Sequence, residues 1–239
     1  MGAYLMDKIY GRKPVLETID AGLNIHKAYI MDQKTPIVAK IVGKLTKNNV
    51  PIKYVDKTFF ENVDMNHQGV MIEVDSYKYA SLDDLDDSKR LILLDKIEDP
   101  HNLGAIIRSA ESFGFDGVII PEHRSAKVNP TVYKTSAGAI NNIKVAMVTN
   151  LNQTIEALKE NGFWVYGLAG EASETIADTN LSGKVALVVG NEGDGLSRLV
   201  RENCDVLVKI PMLGKVNSLN ASVASALSMY EVLRQNGFN

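Results

Sequence analysis

The sequence has little cysteine, no long apolar run and little excess charge. Cys204 is the only cysteine among 239 residues, so no internal disulfide can form and a reducing compartment is expected. The longest apolar stretches, such as VALVVG at 185–190, have the length of a strand and are too short to span a membrane. The first residues also lack the continuous apolar segment of a secretory signal, so we expect a cytoplasmic protein with no membrane partner.

The formal net charge is only −3, so any contact with nucleic acid must come from local patches. Residues 1–74 hold ten Lys/Arg against eight Asp/Glu, a slight basic excess. Residues 120–155 hold four basic side chains and one acidic side chain, which favours a surface for RNA phosphates over a merely solvated face. The four histidines have no spacing typical of metal ligands, and we expect no metal.

The chain divides by composition into three parts. Residues 1–75 alternate helix and strand signals, residues 76–90 form a polar, acidic linker, and residues 91–239 repeat a strand–helix pattern. The strands of the last part are continuously apolar, which predicts an α/β fold with a buried parallel sheet and helices on both faces. Trp164 lies in one of these strands and is predicted to belong to the core.

Ligands of parallel sheets bind beyond the carboxyl ends of the strands, so the loops after Asp95, Leu168, Gly190 and Ile210 are the informative ones. The loop GNEGDGLSR at 190–198 is rich in glycine and precedes a helix, as phosphate-binding loops do. However, its two carboxylates would repel phosphate, and no P-loop lysine follows. A neutral or cationic ligand suits this loop better, although on its own the loop is also compatible with a simple tight turn.

The stretch KVNSLNASVASALSMYEVLRQ at 215–235 opens with amides and hydroxyls and continues with small residues before it becomes an ordinary helix. We expect Ser218 to cap the helix and Asn217 and Asn220 to tie neighbouring loops together. Small side chains allow a flat ligand or another backbone segment to approach closely. The sequence therefore predicts that this helix start shapes a ligand pocket and that the helix packs closely on other segments or on a twin subunit.

Three segments together resemble the SpoU family of SPOUT RNA methyltransferases. They are DPHNLGAIIRSAESFG, LVVGNEGDGLS and IPMLGKVNSLNASVASALSMYEVLRQ, and Ala221 stands in the last where valine is expected. The resemblance implies a trefoil-knot parallel-sheet catalytic domain at 91–239, one of the rare exceptions to unknotted chains. It also implies that residues 1–75 form a small L30e-like RNA substrate-binding domain, as in bacterial 23S rRNA guanosine-2′-O-methyltransferases. The partners it implies are 23S rRNA and a second copy of the chain, and the cofactor is S-adenosylmethionine.

The resemblance also assigns roles to individual residues. The implied catalytic residues are Asn102, Arg108, Glu192 and Ser218. Because an arginine stays protonated at neutral pH, Arg108 is expected to stabilise a developing alkoxide or to clamp a phosphate and not to act as a base. Glu192 is expected to position Arg108 or Asn102, or to receive the proton, and the sequence leaves these alternatives open.

The implied cofactor-binding residues are Leu168, Gly190, Ile210, Met212, Leu219 and Asn220. The candidate RNA-binding residues are Arg12, Arg124, Lys127 and Lys134. Three other functions stay open at this point: a tRNA 2′-O-methyltransferase of the same family, an RNA-binding or ribosome assembly factor without activity, and a nicotinamide-dependent dehydrogenase. The last lacks the glycine fingerprint after its first strand.

Overall fold

A computed structural model describes residues 6–32, 35–216 and 218–237. Within these residues the strands are β1 (Met6–Tyr10), β2 (Ile25–Met31), β3 (Ile52–Val55), β4 (Val70–Asp75), β5 (Arg90–Asp95), β6 (Gly117–Pro121), β7 (Lys144–Val148), β8 (Trp164–Leu168), β9 (Glu174–Thr175), β10 (Val185–Gly190) and β11 (Val206–Lys209). The helices are α1 (Arg12–Asp20), α2 (Pro36–Lys47), α3 (Pro100–Ser112), α4 (Pro130–Thr135), α5 (Leu151–Glu160), α6 (Arg198–Asn203) and α7 (Ala221–Asn236), with short 3₁₀ turns at Lys57–Phe60, Asp83–Leu85 and Ala139–Asn141.

The chain forms two compact units. The N-terminal unit consists of Met1–Lys78 with Asn129–Lys134, and the C-terminal unit consists of Tyr79–Val128 with Thr135–Asn239. Residues 79–90 of the predicted linker belong to the second unit, where Ala80 N donates to Val145 O at 2.9 Å and Leu85 is buried in the core. The domain limits at 75 and 90 stay a prediction.

The N-terminal unit is a mixed four-stranded sheet in the order β1-β4-β2-β3. Strand β4 runs antiparallel to β1 and β2, whereas β2 and β3 are parallel. Helix α2 begins at Pro36, a position that proline favours because its fixed φ suits the first turn, and Thr35 is the N-cap residue. The apolar faces of α1 and α2 pack on the sheet around Val15, Ile30 and Ile41, all fully buried.

The C-terminal unit is a seven-stranded sheet in the order β7-β6-β5-β10-β8-β11-β9, and every pairing in it is parallel. All six residues of β10 are buried, because helices cover both faces of the sheet. One face packs with α5 and α6, and α7 packs on α3 and β10. The predicted parallel α/β fold is confirmed.

Helix α7 shows where its small residues are needed. Ala221, Ser225 and Ser228 are buried within the chain, and the two serine hydroxyls donate to carbonyls one turn earlier, Ala221 O at 2.7 Å and Ala224 O at 2.8 Å. Since these side chains are small and the serine hydroxyls are hydrogen-bonded within the helix, α7 can lie close to α3 and β10.

Two expectations about single residues are wrong. Trp164 is 56% exposed, because it is the first residue of β8, where the strand emerges from the layers that cover it. The N-cap of α7 is Asn220 and not Ser218, since Asn220 Oδ1 accepts from Ser222 N at 3.0 Å and Val223 N at 3.3 Å. Asn217 lies outside the described residues.

Candidate active site

A pocket of about 640 Å³ lies at the carboxyl ends of β8, β10 and β11. This is the edge at which the parallel sheet predicts a ligand site. The structure brings seven of the candidate residues around it: Leu168, Gly190, Glu192, Ile210, Met212, Ser218 and Leu219. Segments that are far apart in sequence thus meet at one cavity.

Gly190 marks the closest approach of two backbone segments at this pocket. A Cβ atom added to Gly190 would lie 2.1 Å from the carbonyl carbon of Gly195, so no larger residue fits without moving the loop. The loop is folded back by Asn191, whose Oδ1 accepts from Gly193 N at 3.0 Å and Asp194 N at 2.7 Å. Gly195 then takes a left-handed φ of 66°, which glycine adopts at little cost. The glycines of this loop therefore build one wall of the pocket from main chain.

Asp95 anchors the same loop and is a residue that the sequence analysis did not assign. It ends β5 beside Gly190 in the parallel register, and it is only 5% exposed. Its Oδ2 accepts from Ser197 N at 2.6 Å. Burial of a carboxylate is costly unless it is hydrogen-bonded. An aspartate at the end of an apolar strand was therefore the sequence feature that could have identified Asp95.

Three side chains join the three sequence motifs at the mouth of the pocket. Asn102 Nδ2 donates to Glu192 Oε1 at 2.7 Å, and Asn220 Nδ2 donates to Glu192 Oε1 at 3.1 Å and to Asn102 Oδ1 at 3.0 Å. Ala221 N also donates to Glu192 Oε1, at 3.2 Å. Glu192 Oε2 has no hydrogen-bond partner among the described residues, so it is the oxygen that can face a ligand. Of the alternatives for Glu192, the positioning of Asn102 agrees with these contacts.

The pocket lining carries slightly more negative than positive charge. Its acidic residues are Glu171, Glu192 and Asp194, and its basic residues are Arg201 and Lys209. Arg201 forms an ion pair with Glu171, which leaves the carboxylates of the glycine loop without a cation of their own among the described residues. This lining disfavours a phosphate-bearing ligand and favours a cationic or zwitterionic one.

Comparison with known proteins identifies the family. The sequence model of the SpoU rRNA Methylase family matches residues 89–230. The chain belongs to this family. A second model, described as RNA 2′-O ribose methyltransferase substrate binding, matches residues 8–80. The expected family and its N-terminal domain are therefore confirmed, and the chain is an RNA methyltransferase of the SpoU type.

The similarity to curated relatives covers nearly the whole chain. YacO of Bacillus subtilis, whose name places it among TrmH family tRNA/rRNA methyltransferases, is 42% identical over 96% of this chain and 96% of its own. A Staphylococcus aureus relative with the same family name is also 42% identical, over 95% of each chain. These names include both tRNA and rRNA.

Solved structures share the fold. The SpoU methyltransferase AviRb from Streptomyces viridochromogenes, in complex with AdoMet, has a TM-score of 0.65 at 24% identity, over 96% of this chain and 90% of that chain. A tRNA-modifying TrmH/SpoU enzyme from A. aeolicus has a TM-score of 0.56 at 29% identity, over 64% of this chain and 81% of that chain. At 24% identity, the similarity to AviRb supports the assignment of the SPOUT fold and nothing further.

Arg108 lies apart from the pocket lining in this SpoU methylase. It is exposed on α3, and it has no hydrogen bond or ion pair with another described residue. The expected contact between Glu192 and Arg108 is therefore not present in the structure, whereas the contact between Glu192 and Asn102 is. Its catalytic role stays a prediction, and its open guanidinium is accessible to a substrate.

The four candidate RNA-binding residues differ in their contacts. Arg124 is exposed, has a left-handed φ of 54° and has no partner among the described residues. The ammonium of Lys127 instead contacts the carbonyls of Pro121 and Glu122 and lies 2.9 Å from Met147 Sδ. Lys134 Nζ lies 3.6 Å from Glu17 Oε1, and Arg12 Nε donates to Gln68 O at 3.2 Å.

The remaining special groups lie outside the pocket. Burial raises the pKa of Cys204 to about 12, so its thiol is protonated and unreactive at neutral pH. The described residues contain no group of three or more His, Cys, Asp or Glu side chains that could hold a metal ion. They also contain no helix that is both long and apolar enough to cross a membrane.

Proposed function

We propose that this SpoU methylase uses S-adenosylmethionine to methylate a ribose 2′-hydroxyl, and that its target is a guanosine of 23S rRNA. The observation that carries the proposal is the hydrogen-bonded set of Asn102, Glu192 and Asn220. It joins all three motifs of the family at the mouth of a pocket of about 640 Å³.

The pocket fits this cofactor in size and charge. A wall of glycine main chain leaves room for a flat ring, and an excess of carboxylates suits a sulfonium. We infer that Gly190, Ile210 and Leu219 bind it through main chain and that Leu168 and Met212 contact it through side chains, with Asn220 fixing the helix start beside it. When bound, S-adenosylmethionine supplies an activated methyl group on its sulfonium.

The residues of the chain then have to orient the ribose and help its 2′-hydroxyl lose a proton. We infer that Arg108 stabilises the developing oxyanion or holds the adjacent phosphate, because its guanidinium is exposed and has no partner among the described residues. Asn102 is held by Glu192 and can orient the substrate. Ser218 lines the pocket and offers a hydroxyl to the substrate or the cofactor.

The RNA is proposed to contact the N-terminal unit and the surface that follows β6. The family match at 8–80 supports the first, and the exposed Arg124 supports the second. Arg12, Lys127 and Lys134 complete the proposed set. Of these, Lys127 is the weakest member because its ammonium already contacts two carbonyls.

A second copy of the chain is the proposed protein partner. Helix α7 exposes Val223, Leu227 and Tyr230, each 46% exposed, on one face. Such a row of apolar side chains is typical of a surface that packs on another helix. We therefore infer that the protein forms a homodimer through α7, and we place it in the cytoplasm. Light scattering at micromolar concentration should give twice the monomer mass.

The test is a methyl-transfer assay with labelled S-adenosylmethionine on 23S rRNA and on bulk tRNA, followed by mapping of the modified nucleotide. Arg108→Ala should lower the rate by about 10²–10³-fold while S-adenosylhomocysteine still binds. The matched control is Arg198→Ala, an exposed helix arginine whose partner is Glu202.

Each other outcome selects an alternative. Label on tRNA alone would make the protein a tRNA methyltransferase of the same family. If RNA binds but no label is transferred to either RNA, the protein is an assembly factor. If NAD binds and S-adenosylhomocysteine does not, the proposed cofactor is wrong. Activity of Arg108→Ala within a few-fold of the parent would remove Arg108 from the mechanism.

A further inference from the structure

The N-terminal unit contains an open groove of about 610 Å³, and Arg12 is its only lining residue in the RNA-binding set proposed above. It is bounded by the start of α1 at Arg12, by the 3₁₀ turn Lys57–Phe60, and by the loop that precedes β4. All of its lining residues belong to this unit.

The loop that forms one wall is held in a fixed shape. Arg12 N donates to Gln68 Oε1, and Arg12 Nε donates to Gln68 O, both at 3.2 Å. Gly11 N donates to Val70 O at 3.0 Å, and Met31 N donates to Gly69 O at 2.8 Å. Because Gln68 is held at a left-handed φ of 49°, these contacts maintain a conformation that a non-glycine residue rarely adopts. A groove with such fixed walls loses little entropy when a ligand binds.

Cationic side chains outnumber carboxylates in the groove lining. Lys57 is exposed and forms no ion pair or hydrogen bond with another described residue. Its neighbour Asp56 does not pair with it, since the Asp56 carboxylate accepts from Thr58 N at 3.0 Å. His67 Nδ1 accepts from Gly69 N at 2.9 Å, so the neutral ring carries its proton on Nε2, which has no partner among the described residues. Glu61 is the single acidic residue of the lining, so the groove favours an anion.

Phe60 and His67 of the lining belong to a cluster of aromatic rings that also contains Phe59. The rings of Phe60 and His67 are stacked, with centroids 4.3 Å apart and planes 2° apart. Phe59 packs edge-on against Phe60 at 5.0 Å, and it stacks on Tyr29 at 4.9 Å. Phe59 is nevertheless 39% exposed. A partly exposed ring beside an anion site is the arrangement by which proteins bind single-stranded nucleic acid.

We propose that this groove binds one unpaired nucleotide of the RNA substrate. The backbone phosphate lies against Lys57, His67 and Arg12, and the base stacks on Phe59. A base within a duplex is already stacked on both faces, so Phe59 selects a loop or bulge. The inference rests on the proposed function only in taking RNA as the substrate, and it needs no cofactor.

The experiment measures binding of the full chain, without cofactor, to a labelled single-stranded 12-mer RNA and to the duplex of the same sequence. Phe59→Ala should weaken single-strand binding by about 5- to 100-fold, the range of base stacking on an aromatic ring, and leave duplex binding unchanged. Lys57→Ala should weaken single-strand binding by about 3- to 10-fold and reduce the salt slope by about 0.7, the value for one phosphate contact.

Two neighbouring residues of β3 provide matched controls outside the groove. Tyr54 is an aromatic residue that is 61% exposed, and Lys53 is an exposed lysine. Tyr54→Ala and Lys53→Ala should leave single-strand binding within about twofold of the parent, and thermal melting should show all four variants folded. Equal effects of Phe59→Ala and Tyr54→Ala, or an equal loss on duplex RNA, would overturn the proposal.

The result is independent of the methyl-transfer assay. If the parent protein transfers methyl groups but binds single-stranded RNA no better than duplex RNA, the proposed nucleotide site is wrong and the proposed enzymatic function stands. A parent that transfers no methyl group but shows the Phe59 effect supports the groove and refutes the proposed enzyme.

Discussion

The pocket of the C-terminal unit and the groove of the N-terminal unit have similar volumes, about 640 and 610 Å³, but opposite charge. Carboxylates outnumber cations in the pocket, whereas two cations and a histidine outnumber one carboxylate in the groove. The walls also differ, since one wall of the pocket is glycine main chain, whereas the groove is lined by aromatic and charged side chains. A protein with a net charge of only −3 can therefore offer one site to a cation and another to a polyanion.

Among the substitutions that distinguish the two sites, the largest expected effect is a loss of ligand binding in the pocket alone. Gly190→Ala places a Cβ atom 2.1 Å from the backbone of Gly195, so the loop has to move, and we expect about a hundredfold loss of affinity for S-adenosylhomocysteine in calorimetry. The reason is displacement of the loop and not a direct clash with the ligand. Gly170→Ala, in the same lining, meets no atom within 4 Å and is the matched control. Binding of single-stranded RNA should not change in either variant.

A smaller effect is expected from the side chains at the mouth of the pocket. Glu192→Ala removes the acceptor of three N–H donors and should lower methyl transfer by about 10- to 100-fold. Glu192→Gln keeps an acceptor oxygen and should stay within about fivefold of the parent. If the two variants are equally impaired, Glu192 acts as the proton acceptor and its hydrogen bonds are secondary.

The sharpest test of the basic surface after β6 is the difference between two of its residues. Arg124→Ala should weaken RNA binding by about 3- to 10-fold at low salt, because Arg124 is exposed and has no partner among the described residues. Lys127→Ala should change RNA binding less and lower the melting temperature, since Lys127 contacts the carbonyls of Pro121 and Glu122. If Lys127→Ala weakens RNA binding more than Arg124→Ala does in a salt titration, Lys127 contacts the RNA.

Treatment with a thiol reagent is expected to leave ligand binding at both sites unchanged, because the single cysteine reacts slowly. Burial raises the pKa of Cys204 to about 12, so N-ethylmaleimide at pH 8 should label the folded protein slowly and leave both sites unchanged. Mass spectrometry with and without denaturant gives the measurement. Rapid labelling of the folded protein would show that the segment at the end of α6 opens in solution.

The sequence predicted those parts of the fold that depend on local patterns. The apolar runs of β5 and β10 predicted the buried parallel sheet, and the glycine loop pointed to the pocket through its sheet position. The family motifs supplied Asn102, Glu192 and Asn220, and the pattern of small residues predicted the close packing of α7.

Features that depend on where distant segments meet were missed. The stacking of Phe60 on His67 and the bonds from Arg12 to Gln68 join residues of different elements, so no local pattern indicates the groove. Trp164 looks like a core residue by composition, but its position at the first residue of β8 leaves it exposed. The sequence predicted that Lys127 is available to RNA, whereas in the structure its ammonium contacts the carbonyls of Pro121 and Glu122.

The hydrogen bond between Asn102 and Asn220 spans 118 positions of the chain, and it has a consequence for the order in which the protein is made. All strands of the parallel sheet have been synthesised once Lys209 has emerged from the ribosome. The mouth of the pocket is still open at that moment, because Asn220 and Ala221 supply two of its contacts and arrive later. A nascent chain can thus form its sheet before it can close the candidate active site, which delays activity until Asn220 and α7 have emerged from the ribosome.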